Sequence, residues 1–292
     1  MIGIILAGGR GTRMYPFDNY ISKHLLPIYD KPLIYYSIST LMLIGIKNIL
    51  IVVDKNHLND FQNLLLDGSQ FGIKINFIEQ DQPNGIVHAL KICQKYIKKS
   101  DFVLYLGDNI FYGHGIIDTF NKAKKIILKS SSIFTYRTTN PKAFGILKKN
   151  KTGNMLKIYE KPHKLISDEA VTGIYFYNNE VLNFINKIRY SKRKELEITD
   201  LNNLLISKKK IKYFYLGRGA TWYDCGSIDE MTTASNFFYS IEKKQGNKVY
   251  CPEEISYIKN WISKKKIKNQ LKNLKSSSYK KYLLEKVLVS KQ

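Results

Sequence analysis

Short apolar runs alternate with amphipathic stretches through the first half of this chain. Residues 3–6, 49–53, 73–79 and 102–107 are β-rich and too short for helices; the runs at 3–6 and 102–107 lack polar alternation, as strands buried on both faces do. Between them, residues 33–44, 57–66, 87–97 and 116–128 carry apolar side chains at helical spacing. This β-α-β-α order predicts an α/β fold with a mostly parallel sheet covered by helices on both faces. From 131 the pattern changes. Residues 131–136, 144–148, 155–160 and 172–177 read as short strands of an antiparallel addition, and 217–226 as a loop after a further strand. Residues 228–242 read as a helix. Beyond Pro252 the chain reads as Lys-rich helix, with Trp261, Ile262, Ile267, Leu271 and Leu274 as its apolar stripe. No repeat or long linker interrupts it, so the expectation is a core over 1–243 with a C-terminal helical appendage over 244–292.

The first strand runs directly into Gly8-Gly9-Arg10-Gly11-Thr12-Arg13, and Ser22-Lys23-His24-Leu25-Leu26-Pro27 follows. A loop with almost no side chains lets backbone N–H groups approach phosphate oxygens closely. Arg13 adds a planar fork of donors and Lys23 a movable point charge. The pattern is neither Gly-x-Gly-x-x-Gly nor a Walker loop closed by Gly-Lys-Ser/Thr. It suits a triphosphate. Two carboxylates end apolar segments: Asp108 in Leu106-Gly107-Asp108-Asn109, and Asp224 in Trp222-Tyr223-Asp224-Cys225-Gly226. Such a pair can share one Mg²⁺, with phosphate and water oxygens completing an octahedron.

Composition narrows the picture. The chain has 292 residues, a formal net charge of +23 and 44% hydrophobic residues. The charge raises nucleic-acid binding, but the excess is spread along the chain, no aromatic RNA-binding motif accompanies it, and Lys, Asn, Ile, Tyr and Phe are the residues of AT-rich codons. Cys93, Cys225 and Cys251 are scattered and read as reduced thiols; the five histidines form no metal-spaced pair. No apolar run would span a bilayer, and Met1 leads straight into the first strand, so a cytoplasmic location is expected.

Leu-Ala-Gly-Gly-x-Gly-Thr-Arg followed by Ser-Lys-x-Leu-Leu-Pro resembles the sugar-phosphate nucleotidyltransferases. Leu106–His114 (Leu-Gly-Asp-Asn-Ile-Phe-Tyr-Gly-His), Ala170–Tyr177 (Ala-Val-Thr-Gly-Ile-Tyr-Phe-Tyr), Leu-Glu-Ile-Thr-Asp at 196–200 and Cys-Pro-Glu-Glu-Ile at 251–255 are similar to the short bacterial glucose-1-phosphate thymidylyltransferases, in order over nearly the whole chain. The resemblance implies a Rossmann-like core with a sugar-binding portion, Mg²⁺, a homotetramer, and synthesis of dTDP-glucose from dTTP and glucose 1-phosphate. It places Leu6, Gly8, Gly11 and Thr12 around the nucleotide, and Arg13 and Lys23 on the triphosphate and leaving pyrophosphate. Gln80 and Gly85 would meet the thymine edge, and Asp108 and Asp224 the metal. Gly145, Glu160, Lys161, Val171, Gly173, Tyr175 and Arg193 would line the hexose phosphate. Tyr112, Gly113, His114 and Glu254 match a second, regulatory nucleotide site at a subunit interface.

The chain departs from the family pattern at several positions. Phe144 stands for Tyr, Lys194 for the Gly of Arg-Gly-Glu, Cys225 for Thr, His88 for Gln, and Ile258 for an Arg of the regulatory site. Other readings stay open: a nucleotidyltransferase using UTP or another sugar phosphate, a noncatalytic nucleotide-binding regulator, and a nucleic-acid-binding protein.

Overall fold

The computed structural model describes residues 1–9, 12–17, 20–272 and 275–289. Gly11 of the expected phosphate loop and Leu274 of the expected apolar stripe lie outside the described residues. The strands are β1 Ile2–Ala7, β2 Pro27–Ile28, β3 Lys31–Pro32, β4 Asn48–Asp54, β5 Lys74–Gln80, β6 Phe102–Leu106, β7 Asn109–Gly113, β8 Ser131–Arg137, β9 Gly145–Lys149, β10 Met155–Glu160, β11 Glu169–Tyr177, β12 Ile211–Tyr215 and β13 Ala220–Asp224. The helices are α1 Leu33–Leu43, α2 Leu58–Leu65, α3 Ile86–Ile97, α4 Ile116–Ile126, α5 Leu182–Ile185, α6 Ile198–Ser207, α7 Ile228–Gln245, α8 Pro252–Ile258, α9 Lys264–Lys272 and α10 Ser278–Tyr282.

The central sheet runs β10-β9-β11-β6-β1-β4-β5, with β8 on β11 and β12 beyond β8. The β5-β4-β1-β6 block is parallel, and β11 joins it antiparallel to β6, with Ile174 opposite Tyr105. Every residue of β11 is buried, which is why this segment reads as a continuous run. One core layer packs α1, α2 and α4 on one face of the sheet. The other face carries α3, α5 and α6. α1 is buried almost all round, its largely apolar sequence accommodating Ser37, Ser39 and Thr40, whose hydroxyls donate to backbone carbonyls.

One segment expected as a loop is a strand instead. The stretch expected as a loop at 217–226 contains β13, paired antiparallel with β7, Asp224 opposite Asn109. Gly217, Gly219 and Gly226 suggested a turn, while the partner strand lies far away in sequence and left no local signal. The parallel block brings the ends of β1, β4, β5 and β6 to one edge, where ligands of open α/β sheets bind.

α7 starts at a capping box. Ser227 Oγ accepts from the Glu230 N–H (3.3 Å), and Glu230 accepts from the Gly226 N–H (3.1 Å). Position 243 falls within the last turn of this helix. Farther on, Lys31 and Lys248 meet Asp30 and Glu242 in a buried, charge-balanced cluster. Because both signs are present in equal number, no ion is left unpaired there. Lys248 also faces the Tyr279 and Tyr282 rings, which ties the C-terminal helices to the core. No helix among the described residues is long and apolar enough to cross a membrane.

Candidate active site

A cleft of about 450 Å³ opens at the carboxyl edge of the parallel strands. Leu6, Gly8, Lys23, Gln80, Gly85, Asp108, Gly145, Glu160, Lys161, Val171, Gly173, Tyr175, Arg193 and Asp224 all line it. Arg13 stands at its margin, its guanidinium packed on Gly226, where a Cβ would collide with it. The capping box that fixes Gly226 therefore also seats Arg13. The backbone of Thr12 lies in the one-turn helix Thr12–Met14.

At the centre, Lys23 Nζ pairs with Asp108 Oδ2. Burial raises the cost of charge on Asp108, but Lys23 and the hydrogen bonds around it override that and hold its pKa well below the carboxylate range. Lys23 is also buried, yet Asp108 raises its pKa, so it stays charged. Asp224 moves the other way, pushed up to about 7 by burial and by the neighbouring Asp108 carboxylate. Two carboxylates close enough to oppose each other's ionisation suit a shared divalent cation.

Asn109 organises this pair and was not singled out from sequence. It is 2% exposed. Its Nδ2 donates to Asp108 Oδ1 (2.9 Å) and to Asp224 Oδ1 (3.5 Å). Its Oδ1 accepts from the Gly173 N–H (3.0 Å) and from Trp222 Nε1 (2.6 Å). A Cβ on residue 173 would collide with this amide, so glycine is required there. The available signal was a buried polar residue directly after Asp108, at the end of an apolar run. His24 was also passed over. It is 1% exposed, accepts or donates at Nδ1 to Ser22 Oγ (3.2 Å), and is held at about pKa 3 by burial and then by Lys23.

The flank built from β10, β11 and the 191–199 segment is arranged differently. Arg193 Nη1 meets Glu160 Oε1 (3.2 Å) and Glu197 Oε1 (3.5 Å), and Nη2 meets Glu195 (3.2 Å). Thr199 Oγ1 donates to the other oxygen of Glu160. Lys161 follows β10 with φ of 41°, a left-handed conformation rare for a side-chain-bearing residue. Tyr175 is buried and stays a neutral phenol, its pKa raised by burial and then by Glu160. Phe144, a departure from the family pattern, packs on Trp222 at 4.8 Å between ring centroids. Cys225, another, is buried and donates its N–H to the Asp108 carbonyl (2.8 Å).

The regulatory set falls elsewhere. None of Tyr112, Gly113, His114 or Glu254 lines the cleft. Tyr112 OH accepts from Gln245 Nε2 (3.4 Å), Tyr282 OH donates to Glu254 (2.8 Å), and His114 is exposed. Ile258 is 62% exposed, and the Lys259 ammonium lies over the Trp261 ring.

The family model for nucleotidyl transferases matches residues 2–240. The chain belongs to the nucleotidyl transferase family. Among relatives of this nucleotidyl transferase, the glucose-1-phosphate thymidylyltransferase of Neisseria gonorrhoeae is 40% identical over 97% of this chain and 98% of its own. That of Xanthomonas campestris pv. campestris is 41% identical over 96% and 95%. A crystal structure of a candidate glucose-1-phosphate thymidylyltransferase from Bacillus anthracis, in complex with a sucrose, superposes with a TM-score of 0.73 at 32% identity, covering 81% of this chain and 95% of that one. A UDP-glucose pyrophosphorylase complexed with UDP-glucose shares the fold, with a TM-score of 0.72 at 24% identity over 82% and 98% of the two chains.

Proposed function

We propose that this nucleotidyl transferase moves a thymidylyl group from dTTP to glucose 1-phosphate, giving dTDP-glucose and pyrophosphate. The observation that carries the reading is the central cluster: Lys23, Asp108, Asn109 and Asp224 meet at the carboxyl edge of the parallel strands. One side of the cleft offers Gln80, and the other Glu160, Lys161 and Arg193. Similarity to relatives named for this reaction supports the substrate pair.

A phosphate oxygen of glucose 1-phosphate attacks the α-phosphorus of dTTP in line. A bond to that phosphorus forms as the bond to the β-phosphate oxygen breaks, and both electrons leave with pyrophosphate. The attacking monoester is already anionic, so no strong general base is needed, and catalysis is positioning and charge stabilisation. Lys23, charged and buried, meets the leaving phosphates, and Arg13 reaches them from the cleft margin. Gln80 reads the base, with Gly85 beside it. Glu160 accepts from sugar hydroxyls, Val171 and Tyr175 wall the ring, and Lys161 and Arg193 meet its phosphate.

The donor set fits Mg²⁺. Among the described residues no group of three or more His, Cys, Asp or Glu side chains could hold a metal ion, whereas Asp108 and Asp224 offer two hard oxygen donors and leave positions for phosphate and water. Bound there, Mg²⁺ supplies charge neutralisation on the reacting phosphates. The protein is further proposed to act as a cytoplasmic homotetramer, with Tyr112, Gly113, His114 and Glu254 belonging to a regulatory site at a subunit interface.

The test is pyrophosphate release with Mg²⁺ across dTTP, UTP and dCTP paired with several hexose 1-phosphates. Preference for dTTP with glucose 1-phosphate is expected. Absence of nucleotide sugar from every pairing overturns the reading, and a preference for UTP or another sugar redirects it.

A further inference from the structure

Gln80 ends β5 with its side chain 5% exposed. Its Oε1 lies against Gly8, 3.0 Å from where a Cβ would stand. Its Nε2 faces His88 Nδ1 at 3.2 Å, from the first turn of α3. Burial, and then the nearby Lys91 ammonium, lower the pKa of His88 below its ordinary value, so the imidazole is neutral at neutral pH. A neutral imidazole carries its proton on one nitrogen and accepts at the other.

We propose that His88 is a specificity-determining positioning residue: by accepting from Gln80 at Nδ1, it fixes the order of donor and acceptor that the Gln80 amide presents to a pyrimidine. This rests on the reading of Gln80 as the residue that faces the base. A primary amide has two N–H groups. In the proposed arrangement His88 takes the one pointing away from the carbonyl. The other lies beside Oε1 and forms a flat donor–acceptor edge. Thymine and uracil present an acceptor at C4 and a donor at N3; cytosine presents the reverse. Turning the amide over about its last bond exchanges its nitrogen and oxygen, and so exchanges which base it matches. The proposal places Nε2 on the C4 side of the base, so a neighbour that accepts holds the amide in the order that fits a 4-keto pyrimidine. A neighbour that only donates holds it in the order that fits a 4-amino pyrimidine. The selection therefore excludes cytosine and does not separate thymine from uracil.

The test measures kcat and KM for dTTP and dCTP at saturating glucose 1-phosphate. Wild type is compared with His88→Glu, which only accepts, His88→Leu, which does neither, and His88→Lys, which only donates. The readout is the ratio of kcat/KM for the two nucleotides, in which any general effect of charge or folding on both cancels. The ratio should hold in His88→Glu, fall roughly tenfold in His88→Leu, and fall further in His88→Lys, as the loss of about one hydrogen bond's discrimination and then its reversal imply. The change should sit in KM more than in kcat. An unchanged ratio in both His88→Leu and His88→Lys overturns the inference. Gln80→Ala separates the two levels. If it abolishes discrimination while the His88 variants keep it, only the role of His88 fails. If it keeps discrimination, Gln80 is not the base reader and both readings fall.

Discussion

On the flank proposed for the nucleotide, charged and polar groups stand at strand ends and on the one-turn helix that carries Lys23, buried and held by neighbours: Lys23 by Asp108, both aspartates by Asn109, Gln80 by His88. On the flank proposed for the hexose, Arg193, its side chain 41% exposed, sits among three carboxylates, and the chain around it turns through left-handed residues at Lys161 and Lys194. Both flanks pair their cation within the protein, Lys23 with Asp108 and Arg193 with glutamates. On the proposed reading, a sugar phosphate takes Arg193 away from Glu160, Glu195 or Glu197. The contrast lies in what holds each pair: the first is buried and braced by Asn109 from a neighbouring strand, whereas the second is part-exposed and set by the backbone of a turn.

The comparison breaks most readily at its centre. Asp108→Asn and Asp224→Asn should each lower kcat by ~10²–10³ with the fold intact, the usual cost of removing one preorganised charge. Asn109→Ala should lose a comparable factor because it frees both carboxylates at once. Circular dichroism together with Mg²⁺-dependent turnover checks this. Near-wild-type rates at limiting Mg²⁺ in both aspartate variants would remove the paired carboxylates from the mechanism.

The flank proposed for the nucleotide also has an acid signature. His24 is neutral when folded, with a pKa of about 3 against about 6.5 when unfolded. Above pH 6.5 it contributes no pH dependence. As pH falls from 6.5 toward 3, the unfolded chain takes up a proton that the folded chain refuses, and stability falls by about 1.4 kcal/mol per unit. Asp224 acts oppositely between its ordinary carboxylate value and about 7, because its folded form binds the proton more tightly. The difference between wild type and His24→Asn in chelator isolates the histidine: denaturant midpoints should diverge at neutral pH and converge as pH approaches 4. Parallel curves would show that His24 is protonated in the folded state.

The hexose flank should respond through substrate binding. Arg193→Ala is expected to raise KM for glucose 1-phosphate roughly 10–100-fold, the worth of a charged hydrogen bond, and to change KM for dTTP far less. Glu195→Gln, which loosens one of the carboxylates on Arg193, should lower KM for the sugar phosphate. Equal effects on both substrates would mean that the two flanks are not separate. The face proposed as regulatory should give a smaller effect. Ile258→Arg should tighten inhibition by dTDP-sugars at saturating dTTP about tenfold, as ~1.4 kcal/mol implies. Equally tight inhibition in both proteins would show that another cation already serves there.

The two flanks also differ in how far they could be read from residues. Strands that run on into Gly8 and Asp108 announce themselves by apolar runs followed by a glycine or a carboxylate, and the sheet then places them together. The helix–strand alternation through residue 128 survives in the structure with ends moved by a residue or two. Asn109 escaped because its role depends on β13 crossing from 115 residues away, which no local pattern carries. The pairing of Arg193 with Glu160, Glu195 and Glu197 escaped for a similar reason: Glu160 comes from another strand, and the turn that folds Arg193 back onto its own neighbours is set by backbone dihedrals rather than by side-chain type. His88 was visible only as a departure from pattern, with its partner unknown.

That turn offers the finest test. Lys194 adopts φ of 59° where the family pattern has glycine. The Ser191 N–H donates to the Glu195 carbonyl and the Lys194 N–H to the Ser191 carbonyl, both at 2.9 Å, while the Arg193 N–H donates to Ser191 Oγ at 3.1 Å. These bonds fix the direction in which Arg193 and Glu195 leave the chain. A side-chain-bearing residue in this conformation costs ~1–2 kcal/mol. Glycine removes that cost but gives back ~0.5–1 kcal/mol through the freedom of its unfolded state. Lys194→Gly should therefore gain under ~1 kcal/mol, a rise in Tm of about 1–3 °C for a chain of this size. Lys194→Asn tolerates the left-handed region and removes the same charge, so it separates backbone from electrostatics. If strain sets the turn, both variants gain stability and leave KM for glucose 1-phosphate nearly unchanged. If the Lys194 ammonium instead helps to hold the sugar phosphate, both variants raise that KM together, and the charge rather than the backbone is what this departure contributes.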